Sequence, residues 1–142
     1  MEARTGLTLI EVLVVLAIIS ILILAGIWTW KIQLMKGRDG KRKADLKKLQ
    51  TILEDYLNDN VCYPDVLNCD QSFPPYLSVV YCDPLNNTDY NYLYETDLDK
   101  TWYKIYARLE TEDDPIIEQV GCSGGCGPGN NYNYFISSPN VL

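Results

Sequence analysis

The sequence contains no histidine. Histidine is the commonest general base, the usual partner of a nucleophilic Ser or Cys, and the commonest protein ligand of metal ions. The sequence also lacks any pair of acids whose spacing indicates acid–base chemistry. We therefore predict that the protein is not an enzyme. An acid pair brought together only by folding is an alternative that the sequence leaves open.

Signals for nucleotide binding are also missing. The glycine-rich residues 121–129 lack the Lys-Ser/Thr ending of a phosphate-binding loop and do not open a helix. No internal repeat is present, and a length of 142 residues leaves room for one modest domain. We expect no nucleotide partner.

Charge is absent from residues 12–30, which are nearly all Leu, Ile, Val or Ala. As a helix, these 19 residues would span about 28 Å, close to the ~30 Å hydrocarbon thickness of a bilayer. A cleaved secretory signal would have an apolar core of about 7–15 residues followed by a small-x-small site, which residues 24–28 match poorly. We therefore predict a membrane span that includes Val12, Leu16, Ile19, Leu22 and the interfacial Trp28.

The two signs of charge are segregated along the chain. Residues 1–48 carry nine Lys or Arg and four acids, a balance of +5. Residues 49–142 carry three and fifteen, a balance of −12, and the two sum to the net charge of −7. This pattern predicts a basic neck that follows the membrane span and an acidic, solvated head. The neck consists of Lys31, Lys36, Arg38, Lys41, Arg42, Lys43, Lys47 and Lys48, and such a run usually forms a solvated helix face.

One acid, Glu11, lies near the start of the apolar run. A charge within a membrane segment costs about 2.5–3.5 kcal/mol at its centre and less near an end. Glu11 therefore either lies in the headgroup zone or has a cationic partner. If the chain begins at Leu7, a neighbouring copy displaced by about 6 Å along the helix axis could present its α-amino group to Glu11. Such a buried pair would set the register between copies.

Residues 6–11, Gly-Leu-Thr-Leu-Ile-Glu, resemble the site cut by prepilin peptidase, with Gly6 before the cut and the acid fifth after it. Residues 1–6 resemble the short polar leader of the type IV pilin and type II secretion pseudopilin family, with Arg4 as its positive charge. The chain is similar to this family in motif over residues 1–30 and in plan over residues 31–58. It departs from the usual pattern at Leu7, where Phe is more common, and in having no Pro within the apolar helix.

This resemblance implies a structural subunit that is cleaved after Gly6, N-methylated at Leu7 and polymerised, with Glu11 pairing to the Leu7 terminus of a neighbour. The implied partners are further copies or related subunits, prepilin peptidase, an inner-membrane assembly platform, membrane lipid before assembly, and a separate ATPase. The resemblance also implies a single-pass inner-membrane protein with a cytoplasmic N-terminus and an extracytoplasmic head, and later a cell-surface or periplasmic filament. The excess of Lys and Arg after the span favours the opposite orientation. We give the compound cleavage motif more weight.

The sequence does not distinguish an adhesive pilus, a type II secretion pseudopilus and a DNA-uptake filament, and we expect DNA as a partner only for the last. The alternative from another class is a monomeric, signal-anchored extracytoplasmic binding module. It would keep its leader, form no filament, and display an acidic, Tyr-rich domain.

The predicted fold is α+β and pilin-like. One long helix would run from Leu7 to about Asn58, and its amphipathic half would pack on a small antiparallel sheet with long loops. Apolar residues at three- and four-residue steps predict that half. They are Leu46, Leu49, Ile52, Leu53, Tyr56 and Leu57, and Gly37 and Gly40 mark a bend or are simply tolerated. The predicted segments are a leader (1–6), a transmembrane and assembly helix (7–30), the amphipathic half of that helix (31–58) and a globular head (59–142).

Within the head, residues 60–89 are rich in Pro, Asn and Asp and are predicted to be a long loop. Residues 90–95 and 102–110 suggest a hairpin, in which Tyr103, Ile105, Ala107 and Leu109 would share one face and Lys104 and Arg108 the other. Two further segments are weaker strand candidates, namely residues 116–120 and 132–136.

Five cysteines, all in the head, predict disulfides that compensate for a thin core. They are Cys62, Cys69, Cys82, Cys122 and Cys126, and we take Cys62–Cys69 as the best single pair. Two bridges among five cysteines allow fifteen arrangements, and one thiol stays free or pairs between chains. Cys122 and Cys126 have a spacing that zinc could use, but without histidine or a second close pair we predict no metal site there.

No cofactor is predicted. Acidic turns are the weak candidates for calcium, chiefly Asp97 and Asp99, with Asp113 and Asp114 as further acids. The spacing of an EF-hand loop is absent, and a defined calcium site would favour a secretion pseudopilus. Residues 86–88 form a glycosylation sequon, which matters only in a host that modifies such sites.

Overall fold

The computed structural model describes Gly6 and residues 8–141, and of Trp28 it describes the backbone alone. The chain divides into two units, Met1–Met35 and Lys36–Leu142. Helix α1, Leu9–Asn60, is 52 residues long and contributes to both. The prediction of one long helix is confirmed, although its end lies two residues beyond Asn58 and Leu7 lies outside the described residues. The helix continues through Gly37 and Gly40.

In the first unit, α1 is an apolar helix, and its described side chains are exposed except for the half-buried Met35. It is long and apolar enough to cross a membrane, with a mean hydropathy of 3.0 in its most apolar stretch. Its few hydroxyls bond back to the helix: Ser20 Oγ donates to the Leu16 carbonyl at 2.7 Å, and Thr29 Oγ1 to that of Ala25 at 3.1 Å. These two hydroxyls therefore present no unsatisfied donor to the bilayer.

The second unit contains a three-stranded antiparallel sheet in the order β1-β2-β3. The strands are β1 (Leu93–Thr96), β2 (Tyr103–Ala107) and β3 (Tyr134–Ser137). Ile105 at the centre of β2 lies opposite Tyr94 on one side and Ile136 on the other. The α+β prediction and the hairpin are confirmed, with strands shorter than the predicted segments.

The core forms where one face of β2 packs against the apolar face of α1. Tyr103, Ile105, Ala107 and Leu109 are each at most 1% exposed, as predicted for one face of the strand. From α1, the residues that join the same cluster are Leu46, Leu49 and Leu53.

One predicted strand is wrong. Residues 116–120 belong to a short helix, α2 (Pro115–Gln119), and its C-cap, Val120. Asp114 caps this helix by accepting a hydrogen bond from the Ile116 backbone N–H at 3.1 Å, and Pro115 occupies the first turn. An N-cap acid followed by Pro is a helix start signal, and it outweighs the apolar Ile-Ile pair.

The predicted Cys62–Cys69 bridge is also wrong. Cys69 pairs with Cys82 and Cys122 pairs with Cys126, while Cys62 is free. The backbone N–H of Tyr63 bonds to the Lys100 carbonyl at 3.0 Å, which holds the Cys62 segment against the β1–β2 turn. Cys69 lies elsewhere, because Asp70 N–H bonds to the Val80 carbonyl at 3.1 Å and so brings Cys69 beside Cys82.

Candidate functional site

The predicted processing and assembly residues lie at the start of α1. Gly6 is exposed, Thr8 precedes the first helical turn, and Leu7 lies outside the described residues. The backbone N–H of Glu11 donates to Thr8 Oγ1 at 3.4 Å. Thr8 therefore acts as a helix cap, and Thr8 and Glu11 have the Ser/Thr-x-x-Glu spacing of a capping box.

Glu11 is exposed, and its carboxylate forms no ion pair within the described part of the chain. The predicted span residues Val12, Leu16, Ile19 and Leu22 are 44–65% exposed. So large an apolar surface on one helix requires lipid or protein to cover it. The arrangement fits a helix that lies in a bilayer.

A second functional feature is a buried ionic network in the second unit, built around Arg42. The side chain of Arg42 is completely buried. Its Nε donates to Asp83 Oδ2 at 2.6 Å and its Nη2 to Asp83 Oδ1 at 3.0 Å, a two-pronged contact. Its Nη1 donates to Asp39 Oδ1 at 2.8 Å and to Glu110 Oε1 at 2.7 Å.

The acids of this network are bonded in turn. Arg38 Nε donates to Glu110 Oε1 at 2.7 Å and Arg38 Nη2 to Oε2 at 2.5 Å. Asp39 accepts the backbone N–H groups of Glu110 and Thr111, each at 2.9 Å. Two guanidinium groups therefore meet three carboxylates, so the network carries a net charge of 2 − 3 = −1. Every buried side-chain N or O atom in the described residues has a hydrogen-bond partner.

The network has predictable effects on ionisation. Burial acts to lower the pKa of Arg42, but the hydrogen bonds to Asp83, Glu110 and Asp39 outweigh it and raise that pKa, so Arg42 stays charged. The hydrogen bond from Arg38 lowers the pKa of Glu110, with Arg42 adding to the effect against the opposing influence of burial. Near the network, burial raises the pKa of Asp45, whose carboxylate accepts the Tyr92 hydroxyl at 3.4 Å.

The predicted basic neck is therefore only partly a solvated face. Arg42 is buried, Arg38 pairs with Glu110, and Lys43 Nζ lies 2.7 Å from Asp114 Oδ2. Sequence reasoning missed these pairs because the acids come from distant parts of the chain, 41 to 72 residues away. The neck residues that remain exposed are Lys31, Lys36, Lys41, Lys47 and Lys48.

The acids considered for calcium are dispersed or already engaged. Asp97 accepts the Thr101 backbone N–H and the Thr101 hydroxyl, each at 2.7 Å, and so holds the β1–β2 turn. Asp114 caps α2 and pairs with Lys43, while Asp99 and Asp113 are exposed. Among the described residues, no group of three metal-binding side chains converges. Cys122 and Cys126, the pair considered for zinc, are bonded to each other.

Comparison with known families finds one match, which lies at the amino terminus. Residues 1–27 match the prokaryotic N-terminal methylation motif, which is the signature of type IV pilins and pseudopilins. No curated protein matches the chain, and neither does any solved structure. The motif supports a precursor that resembles type IV pilins and pseudopilins at its amino terminus, and the long helix and small antiparallel sheet are consistent with an α+β pilin-like fold. The motif and the long apolar helix together indicate a membrane anchor, and proteins with this motif are structural rather than enzymatic.

We predict that Arg42→Met lowers the free energy of unfolding of the second unit by about 3–5 kcal/mol, because it leaves buried carboxylates without their cation. Arg42→Lys should recover only part of this loss, since an ammonium cannot make the two-pronged contact with Asp83. Urea unfolding of the full chain in detergent measures the effect. The control, Lys47→Met on the exposed side of α1, should change stability by less than about 0.5 kcal/mol. Equal losses for the two methionine variants would contradict this account of the network.

We also predict a pH-dependent contribution from Glu110. Its pKa in the folded protein lies below the ordinary value of 4.5, so its ionised form stabilises the fold above about pH 4.5, and this contribution is lost as the pH falls through the lower folded pKa. The stability difference between the natural protein and Glu110→Gln should therefore shrink between about pH 6 and about pH 3. Urea unfolding across this range measures it, and a difference that stays constant would refute the prediction.

Proposed function

We propose that this protein is a structural subunit that is cleaved after Gly6, N-methylated at Leu7 and polymerised into a type IV pilus or a type II secretion-like filament. The observation that carries the proposal is the continuity of the methylation motif, residues 1–27, with the exposed apolar part of α1. The motif supplies a new positively charged terminus, and the helix supplies a surface that must be covered. Neighbouring helices of the same kind would cover it when the subunit leaves the bilayer.

Prepilin peptidase would cut the leader, and membrane lipid would surround α1 until an assembly platform in the inner membrane adds the subunit to a filament. A separate cytoplasmic ATPase would supply the energy, and the subunit would need no cofactor. DNA would be a partner only if the filament serves DNA uptake. The described residues offer no feature that favours a pilus over a secretion pseudopilus.

The orientation we propose has the leader in the cytoplasm and the head outside the inner membrane. Cys69–Cys82 and Cys122–Cys126 support it, because disulfides form and persist in oxidising compartments outside the cytoplasm. The disulfides thus favour an extracytoplasmic head, whereas the excess of Lys and Arg after the span favours the opposite orientation. The mature protein would reside in the inner membrane and then in a cell-surface or periplasmic filament.

Within the filament, we assign Glu11 the role of pairing with the methylated amino terminus of a neighbouring copy. Its carboxylate has no partner among the described residues, and it lies close to the terminus that cleavage would create. A buried pair of this kind is better suited to fixing register than to adding stability. Each added subunit would then be held at one axial position.

A second candidate, the monomeric anchored binding module, is favoured by one observation. Thr8 Oγ1 accepts the backbone N–H of Glu11, so the acid also has a local explanation as the third helical residue of a capping box. In that case Glu11 serves its own helix, the leader is retained, and no neighbour is required.

Glu11→Gln separates the two candidates. Glutamine can replace glutamate in a capping box but carries no charge. In the native host, the filament proposal predicts normal cleavage of the variant and a loss of at least about tenfold in filaments seen by electron microscopy, since one member of a buried ion pair is removed. Asp99→Asn, an exposed acid in the turn between β1 and β2, is the control and should leave filament number unchanged. Filaments of Glu11→Gln in normal number would contradict the assigned role, and the absence of filaments from the natural protein would contradict the proposed function.

A further inference from the structure

Two charged surfaces of the second unit form no ion pair within the part of the chain that the structure describes. We call the first the lysine face, and it consists of four exposed residues of α1, Lys36, Lys41, Lys47 and Lys48. The second, the acidic edge, consists of three exposed residues before and on α2, Glu112, Asp113 and Glu118. The inference drawn from them rests on the proposed function and concerns how copies meet in the filament.

The lysine face differs from the paired cations beside it on the same helix. Arg38, Arg42 and Lys43 each form ion pairs with acids, whereas the four lysines form none in the part of the chain that the structure describes. Lys47 Nζ donates only to Gln50 Oε1 at 2.7 Å. At 100° of rotation per residue, the four lysines lie within an arc of about 140° on one side of α1. Lys48 Nζ lies 5.6 Å from the centre of the Tyr81 ring, but none of the four lysines has an acidic partner among the described residues. Their charges are therefore available to an acidic partner on that side.

Small residues occupy the surface between these lysines. Gly37, Gly40 and Ala44 are all exposed, and a Cβ added at Gly37 or at Gly40 would meet no atom within 4 Å. Glycine is less favourable than alanine inside a helix. The fold gives no reason for these two glycines, because nothing in the described part of the chain packs on them. The backbone of a second copy, approaching closely on this side of α1, would be a reason for glycine at these positions.

The acidic edge lies beside the lysine face without overlapping it. Asp114, which is flanked by acidic-edge residues in the sequence, pairs with Lys43 of α1, and this contact brings the edge next to the helix. Glu112, Asp113 and Glu118 themselves form no ion pair within the described residues. The unit therefore presents adjacent patches of opposite sign.

We propose that the lysine face of one copy docks against the acidic edge of the next copy. The two patches are complementary in charge, which favours their encounter and disfavours contact between like patches. Because they are different surfaces of one subunit, their pairing is heterologous and leaves a free patch of each kind at the two ends of any complex. Heterologous contacts that do not close into a ring generate an open helical assembly, as a filament requires.

Charge reversal of the full chain in its native host tests this docking. One double variant reverses two lysines, Lys36→Glu and Lys47→Glu, and a second reverses two acids, Glu112→Lys and Glu118→Lys. Each should reduce the number of filaments at least about tenfold, since like charges then face each other across the contact. The variant that combines all four substitutions restores opposite charges, and its filament number should return to within about threefold of the natural protein.

A matched control reverses two acids elsewhere, Asp89→Lys and Asp99→Lys. Both residues are exposed, and neither side chain makes a hydrogen bond or ion pair in the described chain. This variant should form filaments in normal number. The N-terminus of every variant is determined as well, so that a failure of cleavage is not mistaken for a failure of docking.

Restoration by the combined variant, with both double variants impaired and all of them cleaved, supports the docking. Normal filaments from either double variant, or no recovery in the combined variant, overturns it and leaves the proposed function intact. If only the lysine reversal impairs assembly, the lysine face contacts something other than the acidic edge, and the inference is wrong. If the natural protein is cleaved but forms no filament, the proposed function itself fails, and this interface fails with it.

Discussion

The burial of Arg42 constrains the second unit more than any other single interaction. A guanidinium that is completely removed from water must find charged partners, and here it finds Asp39 on its own helix together with Asp83 and Glu110 from the head. These contacts are directional, so they specify one arrangement of α1 against the loop of Asp83 and the end of β2. The hydrophobic contacts of Leu46, Leu49 and Leu53 are non-directional and could be met in several registers. Arg42 thus specifies the arrangement of the unit, and the apolar cluster provides most of the driving force for folding.

The charged residues of α1 fall into two groups, those that form ion pairs within the second unit and those that do not. Those that pair inside the unit, at Arg38, Arg42 and Lys43, are neutralised by the acidic head. Those on the lysine face remain unpaired, as does the carboxylate of Glu11 within the described residues. A subunit with unpaired acids and bases and a large exposed apolar helix is incomplete as a monomer. Assembly with further copies would satisfy all three features, which is why we propose a filament subunit rather than an anchored binding module.

Local patterns allowed the long helix, the apolar span and the inward face of β2 to be predicted, because each depends on a strong periodicity within a short segment. The short helix α2 was missed, although Asp114 followed by Pro115 was a readable start signal. The pairing of Cys69 with Cys82 and the burial of Arg42 could not be predicted, since both depend on contacts between segments far apart in the chain. Arg42 stands in a basic run whose members look alike in sequence, and only the fold shows which of them faces Asp83. The role of Glu11 is a different case, because its proposed partner is another chain.

The identity of the mature amino terminus tests the central claim most directly. It can be determined from the intact mass and terminal sequence of the protein isolated from the membrane of its native host. The account predicts a chain that begins at Leu7 and is heavier than the unmodified sequence by one methyl group. A chain that still begins at Met1 would contradict it and indicate a fixed membrane anchor, and a chain that begins beyond Ala25 would indicate a secreted protein in which Glu11 has no role.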